Sequence, residues 1–253
     1  MKQQTVPFPV ETTAHSGQSA KNQPIIEGKQ KNYYSTEQQG LIIQRFKMEG
    51  AEESKKRSRK VSLAGLKNNI SAYLFEYLDG YHIPTHFIRK MSETDSLVRK
   101  LEMIPLVIRV YNYATGPMAR RFGKKEGTPL EFPIIEHYYT AGSPGVSWAN
   151  EYHLYSFGIL TPDEFRQINR LSTKVNAVLR ALCDRRKLNL VDIQLEFGRH
   201  NAQIYLGDEL SPAVCHFWDA AAEGRGARDR FAPDAENAEE AYAELLERIS
   251  MRA

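Results

Sequence analysis

The sequence predicts an α+β protein of two lobes. Strand patterns dominate residues 25–108, whereas residues 109–253 combine long amphipathic helix patterns with a hairpin pattern. Runs of strands followed by runs of helices are typical of α+β folds rather than of alternating, doubly wound ones. The length of 253 residues is sufficient for two modest lobes with real cores. We therefore expect a flexible tail over residues 1–24, a strand-rich lobe over 25–108, a mixed lobe over 109–253 and a cleft between the lobes.

Composition narrows the classes of function. The hydrophobic content of 42% and charged content of 26% are ordinary for a soluble globular protein, and the net charge of +3 is too small to indicate a nucleic-acid partner. The basic run Lys55–Lys60 has no interleaved aromatic residues and is best explained as a solvated loop. Two cysteines, Cys183 and Cys215, make neither a disulfide framework nor a metal-binding knuckle.

The chain shows no apolar run of membrane-spanning length and no signal-peptide pattern. We therefore expect a cytoplasmic protein whose partners are small molecules, with neither a membrane nor a nucleic acid among them. A homo-oligomeric state is compatible with these features.

The first lobe mixes strands with one helix. The strand patterns are Ile25–Lys29, Gly40–Phe46 and Asp95–Leu101, each rich in apolar or alternating residues. Between them, Ala64–Leu78 places its apolar residues on one helical face, and Gly80 directly follows the pattern as a stop signal.

The second lobe opens with a strand over Pro105–Tyr113. A long helix begins at Thr161, which is followed by proline at the first helical position and by Glu164 at the third, the residues of a capping box. A last amphipathic helix is expected over about Glu236–Met251. These helices are interpreted mainly as scaffold.

The hairpin pattern near residue 200 is the most informative feature of the chain. Apolar and polar residues alternate from Val191 to Glu196, so Asp192, Gln194 and Glu196 share one face of a strand. Turn-forming residues over Gly198–Ala202 are expected to reverse the chain.

The return strand of this hairpin is expected to end at Asp208 and Glu209, which brings them towards Asp192 and Glu196. Four carboxylates in one small region repel one another unless a cation holds them. The pattern therefore favours a Mg²⁺-nucleotide site. The alternative, taken from the hairpin alone, is a solvated strand face with scattered acids.

The segments of this chain, in their order, resemble the SAICAR synthase family. That family joins aspartate to a carboxylated aminoimidazole ribonucleotide, using ATP and Mg²⁺. No single stretch is specific, but a dozen in register are, and they extend from Ile25 to Phe231. The matching stretches are Glu27–Lys31, Leu66–Ser71, Ile83–Phe87, Ile104–Leu106, Asn112–Gly116, Arg120–Gly123, Glu126–Thr128, Leu190–Asp192, Leu195–Gly198, Gly207–Pro212, Trp218–Asp219 and Asp229–Phe231.

The resemblance implies a two-lobed SAICAR synthase-like fold with a nucleotide cleft between the lobes, with ATP and Mg²⁺ as cofactors. It implies roles for specific residues in the cleft. The implied catalytic residues are Asp192 and Glu196, the nucleotide-binding residues are Lys29, Lys31, Glu196 and Asp208, the metal ligands are Glu196 and Asp208, and the substrate-binding residues are Arg109, Tyr111, Asn112, His216 and Trp218.

The two lysines also have a physical argument. Lys29 and Lys31 are expected to alternate along one strand, so that both can point at phosphate groups. Without the other motifs, two exposed lysines on an edge strand would be the better interpretation.

The sequence departs from the family pattern at residues that the resemblance implies for substrate binding. In the family, two arginines and a serine bind the anionic groups of the ribonucleotide. This sequence has Tyr111, His216 and Pro117 in their places, and Gln194 in the place of a family lysine. The small-residue acidic loop of the family reads Met48–Glu53 here. An arginine offers a fixed fork of donors matched to an anion, whereas a tyrosine offers one neutral donor. Arg109 and His216 offer partial compensation for these losses.

Two interpretations follow. In the first, the chain is an ATP-dependent ligase that forms an amide between a carboxylate and an amine such as aspartate, with altered substrate specificity and weak or absent SAICAR synthase activity. In the second, it is a non-catalytic or differently catalytic relative that retains the scaffold and binds a ligand or partner. Lys29, Lys31, Glu196 and Asp208 favour the first, and Gln194 with the altered loop favours the second.

Overall fold

Two antiparallel sheets, one in each lobe, organise the chain in the computed structural model. The structure describes residues 23–48, 61–141, 146–222, 224 and 228–251. The expected tail over 1–24 lies almost wholly outside the described residues, as do the basic run and most of the loop beginning at Met48.

The first sheet has the strand order β1-β2-β3-β5-β4 and every neighbouring pair is antiparallel. Its strands are β1 (Ile26–Glu27), β2 (Lys31–Ser35), β3 (Leu41–Phe46), β4 (Phe87–Lys90) and β5 (Asp95–Arg99). The expected alternation of Lys29 and Lys31 along one strand is wrong, because Lys29 lies in the bend between β1 and β2. The cause is Gly28, whose N–H donates to the carbonyl of Lys31 at 2.8 Å and where a Cβ would lie 2.7 Å from that oxygen.

The first helix, α1 (Leu63–Asp79), follows the prediction closely. Its N-cap Ser62 accepts a hydrogen bond from the N–H of Gly65 at 3.1 Å, and its C-cap is Gly80. The predicted apolar face is confirmed for Leu66, Ile70, Leu74 and Leu78, whereas Tyr73 and Tyr77 on the same face are only partly buried, and Phe75 is buried although it was not predicted to be.

The second sheet has the strand order β10-β9-β6-β7-β8, and β11 also pairs with β9. Its strands are β6 (Glu102–Tyr113), β7 (Pro129–Tyr139), β8 (Ser147–Ala149), β9 (Leu188–His200), β10 (Gln203–Leu206) and β11 (Cys215–Asp219). The first sheet ends at Arg99 and the second begins at Glu102, so the boundary expected between residues 108 and 109 falls inside β6.

The hairpin differs from the expected one in its turn. Asn201 and Ala202 alone reverse the chain, with φ of 49° and 61°, rather than five residues from Gly198. Gly198 lies within β9, where a Cβ would meet the Cβ of Leu101 at 2.7 Å. That glycine therefore permits a close approach of neighbouring chain segments and does not serve the turn.

Four more helices complete the described fold: α2 (Gly116–Arg121), α3 (Glu151–Ser156), α4 (Pro162–Arg185) and α5 (Ala238–Ser250). The predicted capping box is confirmed at the start of α4, where Thr161 and Glu164 exchange side-chain to backbone hydrogen bonds. Helix α5 packs on α1 and so joins the C-terminal part of the chain to the first lobe. Among the described helices, none is long and apolar enough to cross a membrane.

Helix α4 packs against one face of the second sheet. Apolar residues of β6 and β9 are buried in the main core together with those of α4, including Ile108, Val110 and Ile193, each with no exposed surface. The alternate residues of β6 and β9 project from the opposite face. That opposite face, called the floor from here on, carries the candidate site.

Candidate functional site

The register of β6 and β9 sets polar residues side by side on the floor. Val107 pairs with Glu196, Arg109 with Gln194, and Tyr111 with Asp192. Directly paired residues in antiparallel strands project to the same face, so Asp192, Gln194 and Glu196 share one face, as the alternation predicted. Asp192 and Glu196 are four residues apart on an extended strand, which separates them by about 13 Å.

An ionic cluster bridges the two lobes at the Glu196 end. Lys31 begins β2 in the first lobe, and its Nζ lies 2.6 Å from Asp208 Oδ1 and 2.9 Å from Glu209 Oε1 in the second lobe. Burial alone would lower the pKa of Lys31, but the carboxylates of Glu209 and Asp208 outweigh it and raise that pKa. The lysine therefore stays charged and ties the lobes together.

Glu196 leaves this cluster with an excess of negative charge. Burial raises the pKa of Glu196, the nearby Asp208 carboxylate raises it further, and the pKa reaches about 7 even though Lys31 opposes the shift. Three carboxylates thus share one lysine among the described residues of the cluster. A cation at Glu196 and Asp208 would relieve this excess.

A cavity of about 290 Å³ lies beside the cluster. Both Lys29 and Lys31 contribute to its wall, although they do not alternate along a strand. Burial raises the pKa of Tyr33, another wall residue, to about 12, so its hydroxyl remains a hydrogen-bond donor. The lining residues are Gly28, Lys29, Gln30, Lys31, Tyr33, Asp208, Glu209, Ala213 and Val214.

Asp192 belongs to a different cluster. Its Oδ1 accepts from Arg109, at 2.8 Å from Nη2 and 3.1 Å from Nε, and its Oδ2 lies 3.2 Å from both Thr115 Oγ1 and His216 Nδ1. The expectation that four carboxylates gather in one region is therefore wrong for Asp192. Burial favours its neutral form, but the hydrogen bond from His216 and the charge of Arg109 prevail and lower the pKa of Asp192.

His216 lies between two carboxylates. Its Nε2 is 2.6 Å from Asp229 Oδ1, while its Nδ1 faces Asp192. Burial lowers the pKa of His216, but hydrogen bonds to Asp192 and Asp229 reverse the effect and raise it to about 9. The imidazole is therefore positively charged at neutral pH. The ring of Trp218 packs edge-on against it, with ring centroids 5.6 Å apart.

The other two residues expected to bind substrate are buried. Tyr111 is only 1% exposed, and the Arg109 guanidinium lies 5.1 Å from its ring centroid. Asn112 exchanges two hydrogen bonds with Asn176 of α4 and donates to the carbonyl of Leu190. Asn112 thus serves the scaffold on the α4 side of the sheet, and the structure does not bring it to the floor. Adjacent residues of a strand face opposite ways, so Asn112 faces α4 while Tyr111 faces the floor.

Glu136 is a floor residue that the sequence argument missed. It is 6% exposed, pairs with Arg121 of α2 and accepts a hydrogen bond from the hydroxyl of Tyr138. It lies opposite Arg109 in the register of β6 and β7. The spacing of Glu136 and Tyr138 within an alternating run was the available signal. Asp229 was also missed, although it lies within one of the matching stretches.

The donor set at the Glu196 end suits Mg²⁺. Within the described ranges, no group of three or more His, Cys, Asp or Glu side chains is arranged to hold a metal ion. Mg²⁺, however, is often bound through one or two carboxylates together with phosphate oxygens and water. Glu196 and Asp208 therefore fit a magnesium ion that arrives with a nucleotide.

Comparison with known proteins gives one consistent result. A family model described as SAICAR synthetase matches residues 24–249. The phosphoribosylaminoimidazole-succinocarboxamide synthase of Desulfitobacterium hafniense is 39% identical over 230 residues, which are 90% of this chain and 97% of that protein. The synthase of the same name from Prosthecochloris aestuarii is 39% identical over 226 residues, which are 89% of this chain and 96% of the relative.

Solved structures agree with the sequence relatives. The crystal structure of the synthase from Ehrlichia chaffeensis superposes with a TM-score of 0.80 at 34% identity and covers 91% of this chain and 100% of its own. A SAICAR synthetase in complex with ADP superposes with a TM-score of 0.78, also at 34% identity, and covers 89% of this chain and 97% of its own.

Proposed function

Because this chain belongs to the SAICAR synthetase family, whose members are ATP-dependent ligases, we propose that it joins aspartate to the carboxylate of an aminoimidazole ribonucleotide at the expense of ATP. The observation that carries the proposal is the interlobe cluster, in which Lys31 from one lobe meets Asp208 and Glu209 from the other beside a cavity. The proposed compartment is the cytoplasm, where ATP and Mg²⁺ are available.

The nucleotide is proposed to bind between the lobes at this cluster. Lys29 and Lys31 offer ammonium groups to the phosphates, and Glu196 with Asp208 holds the Mg²⁺ that accompanies them. A SAICAR synthetase of the same fold binds ADP, which supports a nucleotide in this cleft. The bound ion would neutralise the negative charge that raises the pKa of Glu196.

Amide formation explains why ATP is needed. A carboxylate has no leaving group that an amine can displace, and transfer of the terminal phosphoryl group of ATP to a carboxylate oxygen supplies one. The phosphorylated carboxylate then loses phosphate as the amine forms the amide. Among the residues of this chain, Asp192 is proposed to act by positioning Arg109 and His216, and Glu196 by holding the metal ion.

Calorimetry with Mg-ATP tests the nucleotide site. The wild type is expected to release measurable heat, and Lys31→Ala is expected to bind at least about a hundredfold more weakly, because it removes a buried cation from two carboxylates. Lys47→Ala, which removes an exposed lysine of the same lobe, is the matched control and should bind as the wild type does. No detectable affinity in the wild type would favour the non-catalytic alternative.

A second candidate is the same ligase chemistry on a less anionic acid. The anion-binding groups at the far end of the floor already have carboxylate partners within the protein. Arg109 and His216 are held by Asp192, and the backbone N–H of Gly116 at the start of α2 lies 3.1 Å from Glu126 Oε2. A phosphate that binds there must displace these contacts at a cost in affinity.

Turnover assays separate the two candidates. Amide formation from aspartate, ATP and the carboxylated aminoimidazole ribonucleotide, at a rate comparable to that of the Desulfitobacterium relative, would establish the first. Turnover that is at least about a hundredfold lower with the ribonucleotide than with the corresponding nucleoside or free ring acid would establish the second, since each lost charged contact costs a few kcal/mol.

A further inference from the structure

Strand β2 directs two side chains of the first lobe towards Asp208 and Glu209 of the second. Lys31 and Tyr33 alternate along the strand, so they project from the same face, and both line the cavity of about 290 Å³. Pairing with β3 agrees with this orientation, since the Lys31 ammonium lies 5.7 Å from the ring centroid of Phe46, the residue opposite it. Tyr33 is therefore the neighbour of Lys31 in the cavity wall.

Lys31 has little hydrogen-bonding capacity left for a ligand. An ammonium group donates at most three hydrogen bonds. Lys31 donates one to Asp208 at 2.6 Å and one to Glu209 at 2.9 Å. Lys29, the other cation of the cavity wall, lies in the exposed bend between β1 and β2. A phosphate group in this cavity therefore needs a further donor that the fold holds in place.

The hydroxyl of Tyr33 is such a donor. Within the part of the chain that the structure describes, it has no hydrogen-bond partner, and the residue is only partly buried, so a ligand in the cavity can reach it. It lies within electrostatic range of Lys31 and of the carboxylates of Asp208, Glu209 and Glu196. A tyrosine hydroxyl is protonated at neutral pH. Tyr33 therefore presents a neutral donor to the proposed ion site from the side of the first lobe.

The cavity has the size and the wall chemistry of a phosphate subsite. Its volume lies at the lower end of the range of about 300–1,000 Å³ that ligand pockets span, so it is small for a whole nucleotide. Ala213 and Val214 are its aliphatic side chains, and most of the remaining wall is polar or charged. The phosphate end of a nucleotide, which carries the ion proposed to bind Glu196 and Asp208, suits such a wall better than the base does.

We propose that Tyr33 positions the nucleotide by donating a hydrogen bond from its hydroxyl to a phosphate oxygen at the Mg²⁺-bound end. The proposal rests on the proposed function, which supplies the nucleotide and its ion. A hydrogen bond to a charged acceptor is stronger than one between neutral groups. Tyr33 thus adds to the two lysines a donor that is not already engaged by a carboxylate.

Calorimetry with two ligands tests this contact without turnover. Tyr33→Phe removes only the hydroxyl and is expected to weaken the binding of Mg-ATP about tenfold. Mg-pyrophosphate, which has neither base nor ribose, should lose affinity by the same factor. Tyr34→Phe is the matched control, because Tyr34 lies on the opposite face of β2, where the Arg45 guanidinium is 4.6 Å from its ring centroid. This control should bind both ligands as the wild type does.

Several results would overturn the proposal. Unchanged affinity of Tyr33→Phe for both ligands would show that the hydroxyl contacts no phosphate. A loss with Mg-ATP but not with Mg-pyrophosphate would place the contact on the nucleoside, and undetectable binding of Mg-pyrophosphate to the wild type would exclude a phosphate subsite. An equal loss in Tyr34→Phe would show that the effect is not local to the cavity.

Stability and kinetics separate a positioning role from a structural one. The urea midpoint of ligand-free Tyr33→Phe should equal that of the wild type, and a lower midpoint would mean that the hydroxyl serves the fold instead. In steady-state assays the variant should have a KM for ATP that is about tenfold higher, while kcat and the KM for the acid substrate stay within about threefold of the wild type.

The two kinds of experiment also separate this inference from the proposed function. If no amide forms but Tyr33→Phe loses affinity for Mg-ATP and Mg-pyrophosphate alike, the ligase activity fails and the role of Tyr33 stands. If amide forms and Tyr33→Phe keeps the wild-type KM for ATP, the ligase activity stands and the role of Tyr33 fails.

Discussion

Two ionic clusters on the same strand differ in how they balance charge. Around Asp192, the cations Arg109 and His216 meet the carboxylates of Asp192 and Asp229, so the cluster is neutral within itself. Around Glu196, three carboxylates share Lys31, and the pKa of Glu196 rises to about 7. A cluster that is neutral within itself stabilises the fold without a ligand, whereas a cluster with excess negative charge is stabilised when a cation binds.

The difference in charge balance parallels the expected difference in how far the two clusters follow the family pattern. The unbalanced cluster lies where the nucleotide and Mg²⁺ are proposed to bind, and its residues are those that we expect to follow the family pattern. The neutral cluster contains Tyr111 and His216, the residues at which we expect the sequence to depart from the family pattern. Conversion of one carboxylate to an amide in each cluster therefore tests the comparison directly, since Asn and Gln keep shape while removing charge.

The largest effect is expected from Asp192→Asn. It leaves the partly buried cations Arg109 and His216 without their shared carboxylate and is expected to lower the free energy of unfolding at pH 7 by about 4 kcal/mol, as measured by urea denaturation. Mg-ATP affinity should stay within about threefold of the wild type, because this residue contacts the other cluster nowhere. Asp163→Asn, at an 88% exposed carboxylate, is the control and should cost less than about 0.5 kcal/mol. A loss below about 1 kcal/mol in Asp192→Asn would show that the neutral cluster is not structural.

Glu196→Gln, the corresponding conversion at the other cluster, is expected to change the free energy of unfolding in the opposite direction to Asp192→Asn. Between pH 4.5 and about 7, native Glu196 retains a proton that the unfolded chain has released, so the stability of the wild type falls as the pH rises across this window. Glu196→Gln does not titrate. Its stability relative to the wild type should therefore rise by about 3 kcal/mol between pH 4.5 and pH 8, while its Mg-ATP affinity falls. The same pH series of urea denaturation curves measures this. If the difference in stability between Glu196→Gln and the wild type is the same at pH 4.5 and pH 8, the charged form of Glu196 is not destabilised in the protein without a bound ion.

The sequence anticipated the parts of this comparison that depend on local periodicity. Alternation of polar and apolar residues along β9 predicted that Asp192 and Glu196 share a face, and the helical spacing of apolar residues together with end signals predicted α1 and α4. The division into two clusters depends instead on which strands lie beside β9, because β6 and β11 supply the partners of Asp192. A sequence pattern contains no record of those neighbours.

Lys29, Asn112 and Glu136 differ from expectation for the same reason. Lys29 lies outside the strand because a hydrogen bond from Gly28 closes a turn there. Asn112 does not project from the floor because it follows Tyr111 in β6 and therefore faces the opposite side of the sheet. Glu136 had a signal in its spacing from Tyr138, but its neighbour Arg109 and its partner Arg121 come near it only in the folded protein. The alternation of apolar and polar residues predicts which face of a strand a side chain projects from, but only tertiary packing determines which residues it contacts there.

The neutral cluster should show a pH dependence of its own. The pKa of His216 is raised to about 9 in the native state, so the stability that it contributes is fully present below pH 6.5 and is lost as the pH rises through 9. Because solvent partly screens the ion pairs of His216, His216→Gln should lack about 2 kcal/mol of stability at pH 6 and approach the wild type above pH 9.5. NMR titration of the imidazole gives the pKa directly, and a value near 6.5 would contradict the proposed pairing with Asp192 and Asp229.

The smallest effect, and the sharpest for the nucleotide site, is the pH dependence of Mg²⁺-nucleotide affinity. A metal ligand must be deprotonated, and Glu196 is half protonated near pH 7 in the absence of metal. Mg-ATP affinity should therefore be nearly constant from pH 8 to 9 and fall about fivefold from pH 7 to pH 6, beyond the change in affinity of free ATP for Mg²⁺. Calorimetry at pH 6 in two buffers of different ionisation enthalpy should detect close to one released proton. Glu196→Gln should release none and lose the pH dependence. If Glu196→Gln keeps both the affinity and the proton release of the wild type, the proton comes from another group and Glu196 is not a ligand of the ion.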